Sequence, residues 1–339
     1  MKALVYEGPR EMHLRQLAAP EPLEDEVLIR VAYSGICGSE LSGFLGHNAL
    51  RKPPIVFGHE FSGTVEALGE RVVRNGLQVG ARVTANPLVT CGECRFCLSG
   101  RQQLCPSRRL LSAALPGSNA ELVKIPARFV YPLPNGMSLR HGALVEPVAC
   151  GVRVAELAAP KPGERAVVAG MGPIGLYALQ ALKLYGVTDL YAIDLSPERL
   201  EIAESLGAIP IMPNRKSDVA AEVRHLTDGG ADIAVDAVGA SVTRRQCIDF
   251  TAPGGRVIVT GLHEAESSLQ VNTMIRSEIS LLGSFAYSAV TFEKALAYLA
   301  NGWFGLDEWV EEAPLETGAA WFDRLIAKPG KTAKVLLVP

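Results

Sequence analysis

The sequence predicts an α/β protein with two domains, a β-rich domain and a doubly wound domain around a parallel sheet. Its 339 residues correspond to roughly two domains of about 150 residues each. Residues 1–151 hold short alternating runs such as residues 26–33, typical of strands with one buried face. After a segment rich in proline and glycine at residues 159–164, near-continuous apolar runs alternate with helical patterns. Such runs are typical of parallel strands covered by helices on both faces.

The composition excludes several classes of protein. The chain has 33 basic and 36 acidic residues, a net charge of −3 and no polybasic block, so we expect no nucleic-acid partner. The longest uncharged run, residues 166–182, is shorter than the about 20 residues of a membrane span and contains three glycines and a proline. The first residues lack the apolar stretch of a secretory signal. We therefore expect a cytoplasmic protein with no membrane segment.

Six strands are predicted for the second domain, with helical patterns between them. They are residues 166–170, 190–194, 209–212, 232–238, 255–260 and 279–283. Right-handed crossovers between parallel strands place the helices on both faces of the sheet. Beyond Ser288 we predict a helix whose apolar face runs from Phe292 to Leu299, a second helix near residues 320–327 and a final strand at 333–338. The pattern leaves open whether this tail caps the sheet or returns to the first domain.

Four of the seven cysteines are clustered with the spacing C-x2-C-x2-C-x7-C: Cys91, Cys94, Cys97 and Cys105. In a reduced compartment this spacing favours metal ligation, and the alternatives are free thiols or two disulfides. Four thiolates fill the tetrahedral shell of zinc and leave no position for a substrate, so we predict a structural zinc site. Cys150 and Cys247 lack such spacing and are predicted to lie in the core.

A glycine motif follows the first predicted strand of the second domain. Gly170, Gly172 and Gly175 form G-x-G-x-x-G, with Pro173 and Ile174 before the last glycine and a helical pattern after it. In a Rossmann domain the first glycine permits a tight turn, the second admits a pyrophosphate, and the third lets helix and strand pack closely. A glycine-rich turn without a cofactor is the alternative interpretation.

An acidic residue supports the cofactor interpretation. Asp194 ends the next predicted strand, 19 residues after Gly175. Its carboxylate can accept hydrogen bonds from a ribose 2′-hydroxyl and would repel a 2′-phosphate, so NAD is favoured over NADP. Arg199 is either a solvated helix residue or a neighbour of the adenine.

Cys37, His59 and Glu60 form a second candidate zinc site. All three are competent zinc ligands, and three protein ligands leave one coordination position for chemistry. A buried, inert cysteine and a structural histidine are the alternatives that the spacing allows.

Taken together, these motifs resemble the zinc-containing medium-chain dehydrogenases along essentially the whole chain. The shared features are Cys37 and Ser39 in G-I-C-G-S, His59 and Glu60 in G-H-E, the cysteine cluster, Glu146 in V-E-P, and the glycine turn. Within that family the chain looks most like the polyol branch, which includes sorbitol and galactitol-phosphate dehydrogenases and lies near threonine dehydrogenase.

The resemblance implies a GroES-like β-barrel catalytic domain, residues 1–151 and 288–339, and a Rossmann NAD-binding domain, residues 152–287. It implies two zinc ions per chain, one catalytic and one structural, with NAD as cofactor and the substrate in the cleft between the domains. A homodimer or homotetramer is expected, associating through an exposed edge of the cofactor domain.

The resemblance also assigns site residues. It implies that Cys37 and His59 bind the catalytic zinc, that Glu60 or Glu146 supplies the remaining protein contact directly or through water, and that Ser39 passes on the alcohol proton. The alternatives are that Glu60 is a partner of His59, that Glu146 merely begins a helix, and that Ser39 caps a turn.

The implied activity is reversible oxidation of a secondary alcohol of a polyol, sugar alcohol or related hydroxy compound to the ketone, with a small-molecule alcohol as substrate. A threonine or amino-alcohol dehydrogenase is the enzymatic alternative, and a non-catalytic NAD-binding protein is the other.

Two departures from the family pattern bear on the site. Ser42 stands where many relatives have a relay histidine, and His47 is offset by five residues. The Phe-Arg-Tyr of sorbitol-type enzymes corresponds to a segment in which Ala286 replaces the arginine, which puts sorbitol itself in doubt. Tyr287 and Phe44 are candidates for either pocket lining or core packing.

Overall fold

The protein is described by a computed structural model that covers residues 1–73, 76–213, 218–306 and 308–339. The chain divides into two compact units. The first unit is Met1–Glu146 with Tyr287–Pro339, and the second unit is Pro147–Ala286. Among the residues in these ranges, no helix has the length and apolar character needed to cross a membrane.

In chain order the strands are β1 Lys2–Gly8, β2 Glu11–Gln16, β3 Glu26–Gly35, β4 Ile55–Val56, β5 Glu60–Leu68, β6 Arg82–Ala85, β7 Leu88–Val89, β8 Arg109–Leu110, β9 Leu122–Pro126, β10 Val130–Pro132, β11 Arg165–Ala169, β12 Asp189–Ile193, β13 Ile209–Ile211, β14 Ala231–Asp236, β15 Thr251–Val259, β16 Ser280–Gly283, β17 Val310–Pro314 and β18 Lys334–Val338. The α-helices are α1 Gly38–Phe44, α2 Arg95–Leu98, α3 Leu139–Ala143, α4 Val145–Ala158, α5 Pro173–Leu184, α6 Pro197–Ser205, α7 Val219–Leu226, α8 Ser241–Asp249, α9 Val271–Arg276, α10 Ala289–Ala300 and α11 Gly318–Ala327.

The first unit is built on a sheet with the order β10-β6-β5-β3-β18-β17, in which β9 also pairs with β3. The C-terminal strand β18 is antiparallel to β3, with Leu336 opposite Gly35. Phe322 of α11 and Val335 of β18 share a buried apolar cluster with Phe57. The tail therefore returns to the first unit, because burial of its apolar side chains holds it there.

The second unit contains the six predicted strands in one parallel sheet of order β13-β12-β11-β14-β15-β16. This confirms the predicted doubly wound fold. The strand ends agree with the predictions to one or two residues, except that β15 begins at Thr251, four residues early. Cys247 lies in the buried core as predicted, whereas Cys150 is only partly buried.

The strand order reverses at β11, whose neighbours are β12 on one side and β14 on the other. In parallel sheets of this kind, ligands bind beyond the carboxyl ends of the strands at such a switch point. The glycine motif follows β11 directly and begins α5, with Pro173 at the first helical position.

Candidate zinc sites and cofactor turn

The four clustered cysteines come together in a loop closed by the antiparallel pair β7 and β8. Their sulfur atoms all lie within 4.8 Å of one another. The Sγ atoms of Cys94 and Cys97 are 3.5 Å apart, far beyond the about 2.05 Å of a disulfide bond. Hydrogen bonds from the backbone N–H groups of Glu93 and Cys94 lower the pKa of the Cys91 thiol to about 6, which favours the metal-binding thiolate. The cage fits a structural zinc ion with no open position.

A second set of ligands meets where β3 and β5 run side by side. Cys37 follows β3 at the N-cap of α1, His59 precedes β5, and Glu60 is its first residue. The ligand atoms of these three residues lie within 4.8 Å of one another. Cys37 is half-buried, whereas His59 and Glu60 are buried. Thiolate, imidazole and carboxylate suit zinc, and a set of three leaves one coordination position, so this site fits a catalytic zinc ion.

The orientation of His59 depends on Glu40, which sequence reasoning missed. Glu40 Oε1 lies 2.6 Å from His59 Nδ1 and accepts hydrogen bonds from the backbone of Gly58 and from Ser112 Oγ. Burial would raise the pKa of Glu40, but the His59 ring, the Arg51 guanidinium and the Ser112 hydroxyl outweigh it and lower it to about 2. An ionised Glu40 accepts a hydrogen bond from Nδ1–H of His59, which leaves Nε2 as the ligand atom.

Glu60 has a buried cationic partner, which was also missed. Lys334 Nζ lies 2.7 and 2.6 Å from the two Glu60 oxygens and 2.9 Å from the carbonyl oxygen of Ile36. Burial would lower the pKa of Lys334, but the negative charges of Glu60 and Cys37 raise it. Lys334 therefore stays protonated and balances the Glu60 carboxylate.

Glu146 lies outside the set of three ligands. Its Oε1 accepts a hydrogen bond of 2.8 Å from Tyr287 Oη, and burial raises its pKa to about 7. Tyr287 is buried and packs against Phe292, with the ring centroids 5.6 Å apart. Phe44 packs against Phe322 and belongs to the core.

Ser39 lies beside the ligands, as its position two residues after Cys37 suggested. Its Oγ is 3.4 Å from Cys37 Sγ and 3.0 Å from Arg51 Nη2. Ser39 is half-buried, so its side chain is not closed off from solvent.

The glycine turn has the shape that a dinucleotide requires. Gly170 has φ +93°, which favours glycine, and a Cβ at Gly175 would overlap the carbonyl oxygen of Gly170. A Cβ at Gly172 would meet nothing within 4 Å, so there is open space beside the N-terminus of α5. Backbone N–H groups at such a terminus are suited to a pyrophosphate.

Asp194 and Arg199 lie in the same unit as this turn. Asp194 Oδ2 accepts a 2.6 Å hydrogen bond from the backbone N–H of Met171, inside the glycine motif, and Oδ1 accepts one from Ser196. Arg199 Nε is buried and has no hydrogen-bond partner among the described residues. The open cradle, the adjacent carboxylate and this unpaired donor fit a dinucleotide cofactor.

Comparisons with known proteins agree with this geometry. Residues 23–135 match the family model described as the alcohol dehydrogenase GroES-like domain, and residues 173–301 match the zinc-binding dehydrogenase model. The chain is 33% identical to the sorbitol dehydrogenase of Bacillus subtilis, with 100% of this chain and 97% of that relative covered. The chain belongs to the zinc-containing medium-chain alcohol and polyol dehydrogenases. This confirms the family and the GroES-like and Rossmann folds that the resemblance implied.

Solved structures of other dehydrogenases superpose closely. 2R,3R-butanediol dehydrogenase from Bacillus subtilis has a TM-score of 0.91 at 32% identity, covering 100% of this chain and 99% of that one. An alcohol dehydrogenase of Escherichia coli, solved with NADH, has a TM-score of 0.93 at 26% identity over the same shares. The chain is therefore an enzyme. Its relatives are named for polyols and diols, and they do not favour the threonine alternative.

Proposed function

We propose that this zinc-type dehydrogenase oxidises a secondary alcohol of a polyol, diol or sugar alcohol to the ketone, reversibly and with NAD. The open set of Cys37, His59 and Glu60 is the observation that carries the proposal. When bound, zinc would supply a Lewis acid that lowers the pKa of an alcohol hydroxyl, and NAD would supply the hydride acceptor. The reaction moves one hydride and releases one proton, so alcohol and NAD⁺ give ketone, NADH and H⁺.

The roles of the site residues follow from their positions. Cys37, His59 and Glu60 would hold the metal, since their ligand atoms lie within 4.8 Å of one another. Glu146, held by Tyr287 outside this set, is left with an indirect contact. Ser39 receives the proton of the alcohol and releases its own to water, so its hydroxyl is unchanged after turnover.

The cofactor would be held by groups of the second unit. The backbone after Gly172 would bind the pyrophosphate, Asp194 would accept hydrogen bonds from the adenosine ribose, and Arg199 would lie near the adenine. The carboxylate of Asp194 supports NAD over NADP, because it would repel a 2′-phosphate.

The substrate class rests on the relatives and on one substitution. Similarity to sorbitol and butanediol dehydrogenases supports a polyol or diol. Ala286, with φ +45°, cannot make the charged contacts of the arginine in sorbitol-type enzymes. We therefore propose a substrate other than sorbitol, with an alcohol that does not depend on a cation at this position.

We propose that the chain forms a cytoplasmic homodimer or homotetramer. Strand β16 is an edge of the parallel sheet, with Leu281 part-exposed, and Val271 and Ile275 of the nearby α9 are exposed. An unpaired edge with apolar neighbours supports pairing with a second copy. We further propose residues 1–151 with 288–339 as the catalytic domain and 152–287 as the NAD-binding domain.

A panel of alcohols, polyols and polyol phosphates with NAD, followed by NADH absorbance, tests the proposed activity. Zinc should be quantified per chain in the same preparation. We expect turnover of at least one polyol or diol and two zinc ions per chain. Cys37→Ser should lose one zinc ion and most of the turnover, whereas the control Cys150→Ser, in a part-buried cysteine of α4, should keep both. Full activity of Cys37→Ser would overturn the assignment.

A further inference from the structure

We propose that Arg51 is a positioning residue that sets the direction of the Ser39 hydroxyl, and thereby the path of the alcohol proton. This inference rests on the proposed function, in which Ser39 receives that proton. Arg51 lies in the segment between α1 and β4, two residues before the proline pair at 53–54.

The protein makes room for a buried guanidinium at this point. Arg51 is 4% exposed, and its guanidinium carbon lies 5.7 Å from the centre of the Phe57 ring. A Cβ at Gly43 would overlap Arg51 Cδ, so the absence of a side chain at Gly43 leaves space for the arginine stem. Burying a lone charge is energetically unfavourable, and such charges are retained where an opposite charge balances them. Here the buried Glu40 carboxylate supplies that balance.

The donors and acceptors around Arg51 can be assigned from chemistry alone. Arg51 Nη2 lies 3.0 Å from Ser39 Oγ and 3.2 Å from Ser112 Oγ. A guanidinium only donates, so both hydroxyl oxygens accept from it. Ser112 then directs its own proton to Glu40 Oε1, 2.8 Å away. The proton of Ser112 is thus used in its hydrogen bond to Glu40.

Ser39 is left with one free direction, a lone pair of its oxygen. One lone pair of its oxygen is held by Arg51, and its proton points to Cys37 Sγ at 3.4 Å. The remaining lone pair is the acceptor for the alcohol proton, and the Ser39 proton then turns away from Cys37 Sγ and is released to water. Without Arg51 the hydroxyl can rotate among three staggered orientations, of which only some present a lone pair to the alcohol.

A double-mutant cycle separates this role from simple structural support. Arg51→Met removes the donors but keeps an unbranched apolar stem. We expect kcat to fall about 10- to 100-fold, within the about 10²- to 10⁴-fold that positioned proton transfer contributes, with KM changed less than about twofold. In a Ser39→Ala background the same change should lower kcat by less than about twofold, because its effect passes through Ser39.

Three comparisons complete the test. In a Ser112→Ala background, Arg51→Met should keep its full effect on kcat. Arg51→Lys, which retains one donor and the charge, should recover part of kcat. Zinc content should stay at two per chain in all folded variants. A wild-type kcat for Arg51→Met, a full loss in the Ser39→Ala background, or zinc loss in Arg51→Met would overturn the inference.

Crystal structures give a readout that does not depend on turnover. In the wild type and in Arg51→Lys we expect a single Ser39 conformer, and in Arg51→Met several. A single unchanged conformer in Arg51→Met would contradict the inference even if no alcohol in the panel were oxidised. Failure of the proposed function would instead appear as a wild-type enzyme with both zinc ions, an ordered Ser39 and no turnover.

Discussion

Lys334→Met removes the buried cation that balances Glu60, and we expect a large loss of stability. Lys334 is 1% exposed and its Nζ lies within 2.7 Å of both Glu60 oxygens. Removing one partner of a buried ion pair costs about 3–5 kcal/mol, because the other charge stays buried and unpaired. At about 2–4 °C per kcal/mol for a unit of this size, the melting temperature should fall by about 6–20 °C.

The measurement is best made in a Cys37→Ser background, where zinc in the open site does not contribute to stability. Differential scanning calorimetry would compare Lys334→Met with Lys2→Met. Lys2 lies 2.7 Å from Glu316, but this pair is 43% and 45% exposed, so its loss should lower the melting temperature far less than Lys334→Met does. The double variant Glu60→Gln/Lys334→Met should recover much of the stability lost in Lys334→Met, because no charge is left unpaired.

Zinc in the open site adds a further expectation. If the metal binds the Glu60 carboxylate, it supplies a positive charge there, and Lys334→Met should cost less in the zinc-loaded protein than in the Cys37→Ser background. The reasoning would be refuted if Lys334→Met melted no lower than Lys2→Met. It would also fail if the double variant were no more stable than Lys334→Met alone.

Three other changes test separate parts of the structure. Cys94→Ser should lower the melting temperature by several degrees, while kcat per folded molecule changes less than about twofold, since a closed site supports the loop; unchanged melting would argue against a structural ion. Asp194→Ala removes the charge that repels a 2′-phosphate, so the ratio of kcat/KM for NADP over NAD should rise about tenfold, or about 1.4 kcal/mol, and no change would mean that the ribose is recognised elsewhere. Burial raises the pKa of Glu146 from 4.5 to about 7, so the native state holds this proton to higher pH than the unfolded chain does. In a Cys37→Ser background, the contribution of Glu146 to stability should therefore be highest below about pH 4.5 and fall by up to about 3 kcal/mol as pH rises to 7, and Glu146→Gln should remove that part of the pH dependence in urea unfolding; an identical pH dependence in both proteins would contradict the shift.

Much of the fold could be predicted because its signals are local. The six strands of the parallel sheet are short apolar runs with helical patterns between them, and each strand alone carries enough hydrophobic signal to be recognised. The glycine turn occupies six consecutive positions, and the closed thiol site lies within 15. The tail was different, because pairing of β18 with β3 joins residues about 300 positions apart and leaves no local pattern.

The sequence by itself determined which ligand each zinc site and the cofactor turn would suit, since a few residues at short spacings define these sites. Tertiary structure alone decided how the surrounding charges are arranged. Glu60 is neutralised by a lysine 274 residues away, Glu146 is held by a tyrosine 141 residues away, and Ser112 reaches Glu40 across 72. A lysine in a terminal strand and an arginine beside prolines read as surface residues, because solvation is the lowest-energy state of a lone charge. In the folded chain water is excluded around Lys334 and Arg51, so each of these charges needs an opposite charge beside it.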